Sequence, residues 1–400
     1  MNKVLKKPEL MCPIRDWASL EACKKYADAV YFSIDNLSLR ANANSLKLKD
    51  LTKFIALCHA YKIKAYLTVN SVIYNDDLKL AEKIIVAAKR AKVDAVIVWD
   101  PAVIKLAKQY KIKFFVSTQA NISNWQAAKF YQDLGASRVV LAREMTLKQI
   151  KELKKKVDLE IETFVHGAMC VAISGRCLLS AYLYGKSANC GSCGQPCRKA
   201  WLLTDDEGNQ INTEGKYFLS AKDLCMIEYL PELIKAGINS FKIEGRRRDP
   251  KYIEVTARCY REAIDAYYNK NFTKNKLTNW IDQLRQVYHR GFSTGFYFGV
   301  PGQEGIGFEK SDNIGSLKKT LVGYVKKYYP KLGVASITLN HHDLKIGDRI
   351  IIEGNKTYLE QSVESMQLEN KKIKLGKKGQ EVAILVKQKV NEKDKIFLLK

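Results

Sequence analysis

Along the first 245 residues, short and nearly continuous apolar runs alternate with stretches of helical periodicity. The runs are ELMCP at 9–13, AVYFSI at 29–34, IKAYLTVN at 63–70, DAVIVWD at 94–100, IKFFVSTQ at 112–119, SRVVLAR at 137–143, LEIETFVHG at 159–167 and NSFKIEG at 239–245. A strand covered on both faces reads this way, because neither face alternates with water. Amphipathic stretches between the runs, such as 78–92 and 145–156, read as crossover helices. Eight such strands predict an α/β fold, a (β/α)8 TIM-like barrel. An open doubly wound sheet is the competing architecture, and its glycine-rich fingerprint is missing from the chain.

The rhythm breaks once. The seventh and eighth runs are separated by a long excursion, at about 166–235, well beyond a usual connection. Residues 246–300 are helical and aromatic, and the turn-rich stretch 301–315 reads as a linker. Beyond it come LVGYVKKYY, GVASITL, GDRIIIEG, KKIKLG, EVAILV and KIFLLK, short strands separated by glycine-bearing turns. The expected organisation is therefore 1–300 for the barrel with its insertion and helical extension, and 316–400 for a small C-terminal all-β barrel.

Composition sharpens this picture in three ways. Hydrophobic residues make up 46% of the 400, enough for a sizeable core and too many for a disordered chain. The 67 Lys and Arg against 42 Asp and Glu leave a formal charge of +25, which favours a polyanionic partner such as nucleic acid. Only 15 of the cations are Arg, so part of the excess reads as a Lys-rich background composition. Residues 311–400 alone carry 18 Lys and Arg against 10 Asp and Glu. No apolar run reaches the roughly 18–20 residues that span a bilayer. The stretch MNKVLKKPELMCPIRDW has basic residues but no continuous apolar core, so neither a signal peptide nor a membrane partner is expected, and a cytoplasmic setting is.

Ten cysteines without an export signal should be reduced, and reduced clustered cysteines read as metal ligands or nucleophiles. HGAMCVAISGRCLLSAYLYGKSANCGSCGQPCRKAW at 166–201 holds Cys170, Cys177, Cys190, Cys193 and Cys197, and Cys225 follows in SAKDLC. Thiolates select zinc or iron–sulfur clusters. A zinc ribbon uses two close C-x2-C knuckles and only one is present, whereas mixed spacing among small residues suits a cluster. Cys12, Cys23, Cys58 and Cys259 lie in apolar patterns and read as buried small hydrophobes.

His166, four residues before Cys170, raises a Cys–His nucleophile pair and hence a hydrolase; the alternative is a histidine beside a cluster or in a substrate pocket. GFSTG at 291–295 matches G-x-S-x-G by letter but lacks the helix that a nucleophile elbow requires. Polar residues recur where barrel strands end: Asn70, Thr118, Gln119, Asn121, Arg143, His166, Glu244 and Arg246. In a barrel those ends share one mouth. KIEGRRRDP at 242–250 adds Arg247, and Arg forks suit phosphate or carboxylate.

These stretches carry a resemblance. SLRANAN, YLTVNSVIYNDDL, STQANISNWQAAKFYQDLGASRVVLARE, the cysteine segment, and FLSAKDLCMIEYLPELIKAGINSFKIEGRRRDPKYI together resemble the collagenase-like peptidase family U32 over most of residues 9–260. The chain departs at ELMCPIRDW, where the family pattern has a small apolar residue and a glycine.

The resemblance implies RNA modification rather than proteolysis, with a four-cysteine iron–sulfur cluster, most simply 4Fe-4S. Long members with a C-terminal β-barrel imply oxygen-independent hydroxylation of the tRNA wobble uridine to 5-hydroxyuridine, with prephenate as oxygen donor and co-substrate. It also implies a homo-oligomer or a paralogous U32 subunit. Carried over by motif, Cys170, Cys177 and Cys193 are metal ligands, with Cys225 as the fourth and Cys197 as its alternative; Cys190 is not a ligand. His166, Glu244 and Arg246 become candidate catalytic residues. Asn70, Thr118, Gln119, Asn121, Arg143 and Arg247 become candidate contacts to the base and to the donor carboxylates. The rivals are a Cys/His peptidase and a non-catalytic RNA-binding subunit.

Overall fold

All eight long apolar runs form strands in the computed structural model, which describes residues 6–34, 37–39, 46–173, 176–210, 217–308 and 313–400. They are β1 (Glu9–Pro13), β2 (Ala29–Phe32), β3 (Lys64–Val69), β4 (Ala95–Val98), β5 (Phe114–Val116), β6 (Arg138–Val140), β7 (Glu160–Ala168) and β9 (Ser240–Ile243). Each pairs in parallel with the next, and β9 pairs with both β1 and β7, which closes the ring. The result is an eight-stranded parallel barrel. Helices between the strands start on side-chain caps: Asp100 accepts from the Ala102 N–H before Pro101–Gln109, and Thr146 and Gln149 form a capping box before Leu147–Lys154. Among the described residues no helix is long and apolar enough to cross a membrane.

Strand alternation decides what fills the barrel. Tyr31, Tyr66, Ile97 and Phe115 point inward and pack as one cluster, with the Tyr66 and Phe115 rings 4.8 Å apart. Each large side chain buried in this way contributes about 1.5–3 kcal/mol. Below them lies an ionic layer. Arg138, 3% exposed, bonds Glu9 at 2.6 Å, Glu160 at 2.7 Å and Glu162 at 3.1 Å, and the Lys242 ammonium reaches Glu162 at 2.8 Å. Burial alone would raise the Glu9 carboxyl, yet the Arg138 guanidinium beside it holds it below its ordinary value.

Among its described residues, the excursion between β7 and β9 holds one short strand, β8 (Asp223–Cys225), antiparallel to the end of β7. β10 (Phe292–Ser293) pairs with β8, and this is where GFSTG lies. Among the described residues no α-helix follows it, in keeping with a chance match. The long helix Pro250–Tyr268, capped by Asp249, packs beside β1.

The chain divides into two compact units, one of residues 1–15 and 23–314, the other of residues 16–22 and 315–400. The segment Asp16–Ala22 groups with the second unit rather than the barrel: the Ala18 N–H donates to the Asn355 carbonyl, and the Lys356 ammonium lies 5.8 Å from the Trp17 ring centre. The second unit is antiparallel. Its strands are β11 (Lys319–Tyr329), β12 (Val334–Thr338), β13 (Leu344–Lys345), β14 (Arg349–Glu353), β15 (Tyr358–Ser362), β16 (Met366–Leu368), β17 (Lys371–Lys372), β18 (Leu375–Gly376), β19 (Glu381–Leu385) and β20 (Lys395–Leu399). Eight of them form one sheet and β13 pairs with β18, around a core that includes Val322, Ile337, Ile350, Ile352, Ile384 and Ile396.

Candidate functional site

The C-terminal ends of the barrel strands carry a directional hydrogen-bond relay. Arg246, just past β9, donates to the Ser38 and Thr68 hydroxyls at 2.8 and 3.0 Å and to the Leu39 carbonyl. Ser38 donates to Asn70 Oδ1 at 3.1 Å. Asn70 Nδ2 donates to the Ser117 hydroxyl at 3.0 Å, and Ser117 donates to Gln119 Oε1. Gln119 Nε2 returns to the Asn70 carbonyl at 3.0 Å. Every one of these side chains is buried, so the amides and the guanidinium hold fixed orientations. Ser38, Thr68 and Ser117 had not been singled out from the sequence; small hydroxyl residues beside a strand end give no signal until the partners are known.

Beside the relay, Arg143 stacks on Phe164 at 3.8 Å from the ring centre, donates to the Ala168 carbonyl at 2.7 Å, and stands 3.8 Å from the Glu244 carboxylate. β7 and β9 come unusually close here. Gly167 has φ +102°, and a Cβ in its place would collide with the Glu244 carbonyl oxygen.

These groups line one cavity of about 110 Å³, together with four cysteines. The wall includes Asn70, Thr118, Gln119, Arg143, Lys242, Glu244 and Arg246 on the barrel side, and Cys170, Cys177, Cys193 and Cys197 on the side of the excursion. The thiol loops are pinned from behind. Asn189 accepts from the Cys177 N–H at 3.1 Å, and the Ser180 hydroxyl accepts from the Gly194 N–H at 3.0 Å. Arg198 is buried and donates to Ser220 and to the Met169 and Ala221 carbonyls. Burial pushes the Cys197 thiol up; Arg198 opposes this, and Cys170, Cys193 and Cys177 add to it. Four thiols therefore share one electrostatic environment. Among the described residues, no three Cys, His, Asp or Glu side chains already stand together as a metal shell.

Residues 16–307 match the sequence signature of Peptidase family U32. The chain belongs to peptidase family U32. It is 44% identical to an uncharacterized protease of Methanocaldococcus jannaschii over 98% of both chains. It is 38% identical to a collagenase of Porphyromonas gingivalis over 97% of both. It is also 37% identical to tRNA hydroxylation protein P1 of Bacillus subtilis, over 75% of this chain and 73% of that one.

Within this U32 chain, four sequence expectations need correcting. His166 does not line the cavity. A register shift between Phe164 and His166 turns its ring out of the barrel, where it packs against Tyr260, Tyr252 and Phe292. Burial, with His289 nearby, lowers its pKa to about 3, so it is a neutral packing residue. No histidine among the described residues hydrogen-bonds a thiol, and the Cys–His dyad is not formed. Cys225 also lies outside the cavity wall, opposite His166 on β8 and beside the Tyr260 hydroxyl, with desolvation pushing its thiol up to about 11. Asn121 does not line the cavity either; it ends the turn Thr118–Ala120 in the left-handed conformation that Asn tolerates. Arg247 is exposed and outside the wall, donating to the Cys193 carbonyl at 2.8 Å, so it steadies the thiol loop. Asn70, Thr118, Gln119, Arg143, Glu244, Arg246, Cys170, Cys177, Cys193 and Cys197 do meet.

Proposed function

We propose that this U32 protein is an oxygen-independent RNA hydroxylase that converts the wobble uridine of tRNA to 5-hydroxyuridine. The observation that carries this reading is the meeting of four thiols with an Arg–Glu pair and fixed amides around one cavity at the barrel mouth. The similarity to a tRNA hydroxylation protein over three-quarters of the chain supports the same substrate class.

Cys170, Cys177, Cys193 and Cys197 would hold an iron–sulfur cluster, 4Fe-4S for a four-thiolate set. Two observations fit such a group. The donors are soft thiolates from separate turns on one wall. Residues 163–204 contain no Asp or Glu, and Arg198 is buried beside the thiols, hydrogen-bonded to Ser220 and to two carbonyls. An anionic centre would sit favourably beside that buried cation. When bound, the cluster supplies one-electron chemistry or an iron site for an oxygen donor.

The protein's own residues do the positioning. A uracil base, splayed from the anticodon loop, would present its imide edge to the amides of Asn70 and Gln119. Hydroxylation without dioxygen takes its oxygen from another donor, and prephenate is the candidate: its carboxylates would suit the Arg143 fork, with Arg246 held rigid alongside. Glu244, buried and 3.8 Å from Arg143, is the group placed to take or hold a proton in the cavity. The lysine-rich second unit adds sequence-independent affinity for phosphates.

The test is genetic and chemical. Deleting the gene should remove 5-hydroxyuridine and its derivatives from tRNA digests analysed by mass spectrometry. The wild-type gene should restore them and Cys193→Ala should not. Unchanged 5-hydroxyuridine in the deletion strain contradicts the proposal.

A further inference from the structure

The outer face of the thiol-bearing excursion has an unusual composition. Its short helix Leu179–Tyr184 turns Tyr182 outward at 82% exposed, and Leu178 beside it is 52% exposed. Leu183 and Tyr184 are also exposed, so four consecutive or near-consecutive large apolar side chains face outward here. The cavity wall runs into this face, because Cys177 and Leu179, on either side of Leu178, both line it.

Tyr184 ties the face to the thiols. Its ring lies over Gly194, where a Cβ would come within 2.6 Å of it, and Gly194 follows Cys193 directly. The Lys199 ammonium sits 5.2 Å from the centre of the same ring. Arg176, Lys186 and Lys199 are all exposed, and no carboxylate occurs anywhere in residues 163–204. Aromatic rings interleaved with cations suit a ligand with flat faces and a negatively charged backbone.

We infer that this face is the platform for the single-stranded RNA flanking the target nucleotide, with a neighbouring base stacked on Tyr182 and phosphates held by Arg176, Lys186 and Lys199. The inference rests on RNA being the substrate, as proposed above, and adds where the RNA lies. It makes Tyr182 a positioning residue that sets the entry of the nucleotide into the cavity. Stacking of this kind tolerates any base, so the platform holds the loop while the cavity selects the base.

The experiment uses the full-length protein and a fluorescent anticodon stem–loop RNA, with anisotropy read over a series of salt concentrations. Tyr182→Ala should weaken binding about ten- to a hundred-fold, and Tyr182→Phe should restore it. Lys186→Ala should lower the salt slope by about 0.7. Both positions are exposed, so thermal unfolding of both variants should match the wild type. Weakened binding by a folded Tyr182→Ala supports the platform even if tRNA from the deletion strain shows normal hydroxylation; in that case only the proposed reaction falls. Wild-type affinity in Tyr182→Ala overturns the platform and leaves the reaction standing. Absence of RNA affinity in the wild type also overturns it, and self-association abolished by Tyr182→Ala in sedimentation overturns it and assigns the face to a second copy of this chain.

Discussion

The two ends of the barrel interior use charge in opposite ways. At the N-terminal end, Arg138 and Lys242 are matched by Glu9, Glu160 and Glu162 at 2.6–3.1 Å, and the layer is self-sufficient. At the C-terminal end, Arg143 stands 3.8 Å from Glu244, and Arg246 donates to two hydroxyls and a carbonyl. Arg198, beside the thiols, donates to Ser220 and to two carbonyls. The closely matched ions hold the fold together, whereas Arg143 and Arg246 line the cavity. The same residue type therefore closes the fold at one end and lines the cavity at the other.

The largest effect should come from breaking the closed end. Arg138→Met removes the guanidinium shared by Glu9, Glu160 and Glu162, leaving Glu9 only Lys64 and Glu162 only Lys242 as cations, and should cost about 3–5 kcal/mol in denaturant unfolding. A loss under about 1 kcal/mol would mean that the layer is not the tight network the distances describe.

A second effect separates packing from chemistry at the mouth. The folded pKa of His166 is lowered to about 3 from an ordinary 6.5. Below about pH 6.5 the unfolded chain takes up a proton that the folded chain refuses. The stability present above that pH should therefore erode as pH falls toward 3, by up to about 1.4 kcal/mol per pH unit. His166→Gln should remove this contribution, visible as a shallower slope of unfolding free energy between pH 6 and 4. An unchanged slope would show that His166 titrates normally, and would reopen a proton-transfer role.

The smallest effect on the fold is expected at the open end. Arg143→Gln loses the fork but keeps a group able to reach the Ala168 carbonyl, so stability should fall by only about 1 kcal/mol. Hydroxylated nucleoside in a complemented strain should fall at least tenfold. The reverse pattern, an unstable protein with normal product, would place Arg143 with the closed end.

Much of this architecture could be read from the chain. The eight barrel strands were legible because strands covered on both faces are continuously apolar, and the mouth residues because polar groups recur at one end of them. β8 and β10 were not, because two or three residues give no period. β15 escaped notice because its buried positions, Leu359 and Gln361, include a polar residue, so YLEQS shows no apolar alternation. Two of the misplacements at the site, those of His166 and Cys225, have one origin. His166 and Cys225 face each other across β7 and β8, and the irregular register of β7 at Phe164 and His166 turns that pair away from the cavity. A bulge leaves the letters of a strand unchanged, so spacing could not distinguish Cys225 from Cys197. Arg198 was overlooked because a cation next to a cysteine looks like surface charge until its burial is known.

The central claim is that Cys170, Cys177, Cys193 and Cys197 share one iron–sulfur centre at the mouth of the barrel. Iron and sulfide content, with the visible absorption spectrum, should be measured on anaerobically purified wild type, Cys197→Ala and Cys225→Ala. The account predicts a brown wild type, a brown Cys225→Ala and a colourless Cys197→Ala depleted of iron. A colourless wild type that binds no iron on reconstitution, or iron lost with Cys225 and kept without Cys197, would contradict it.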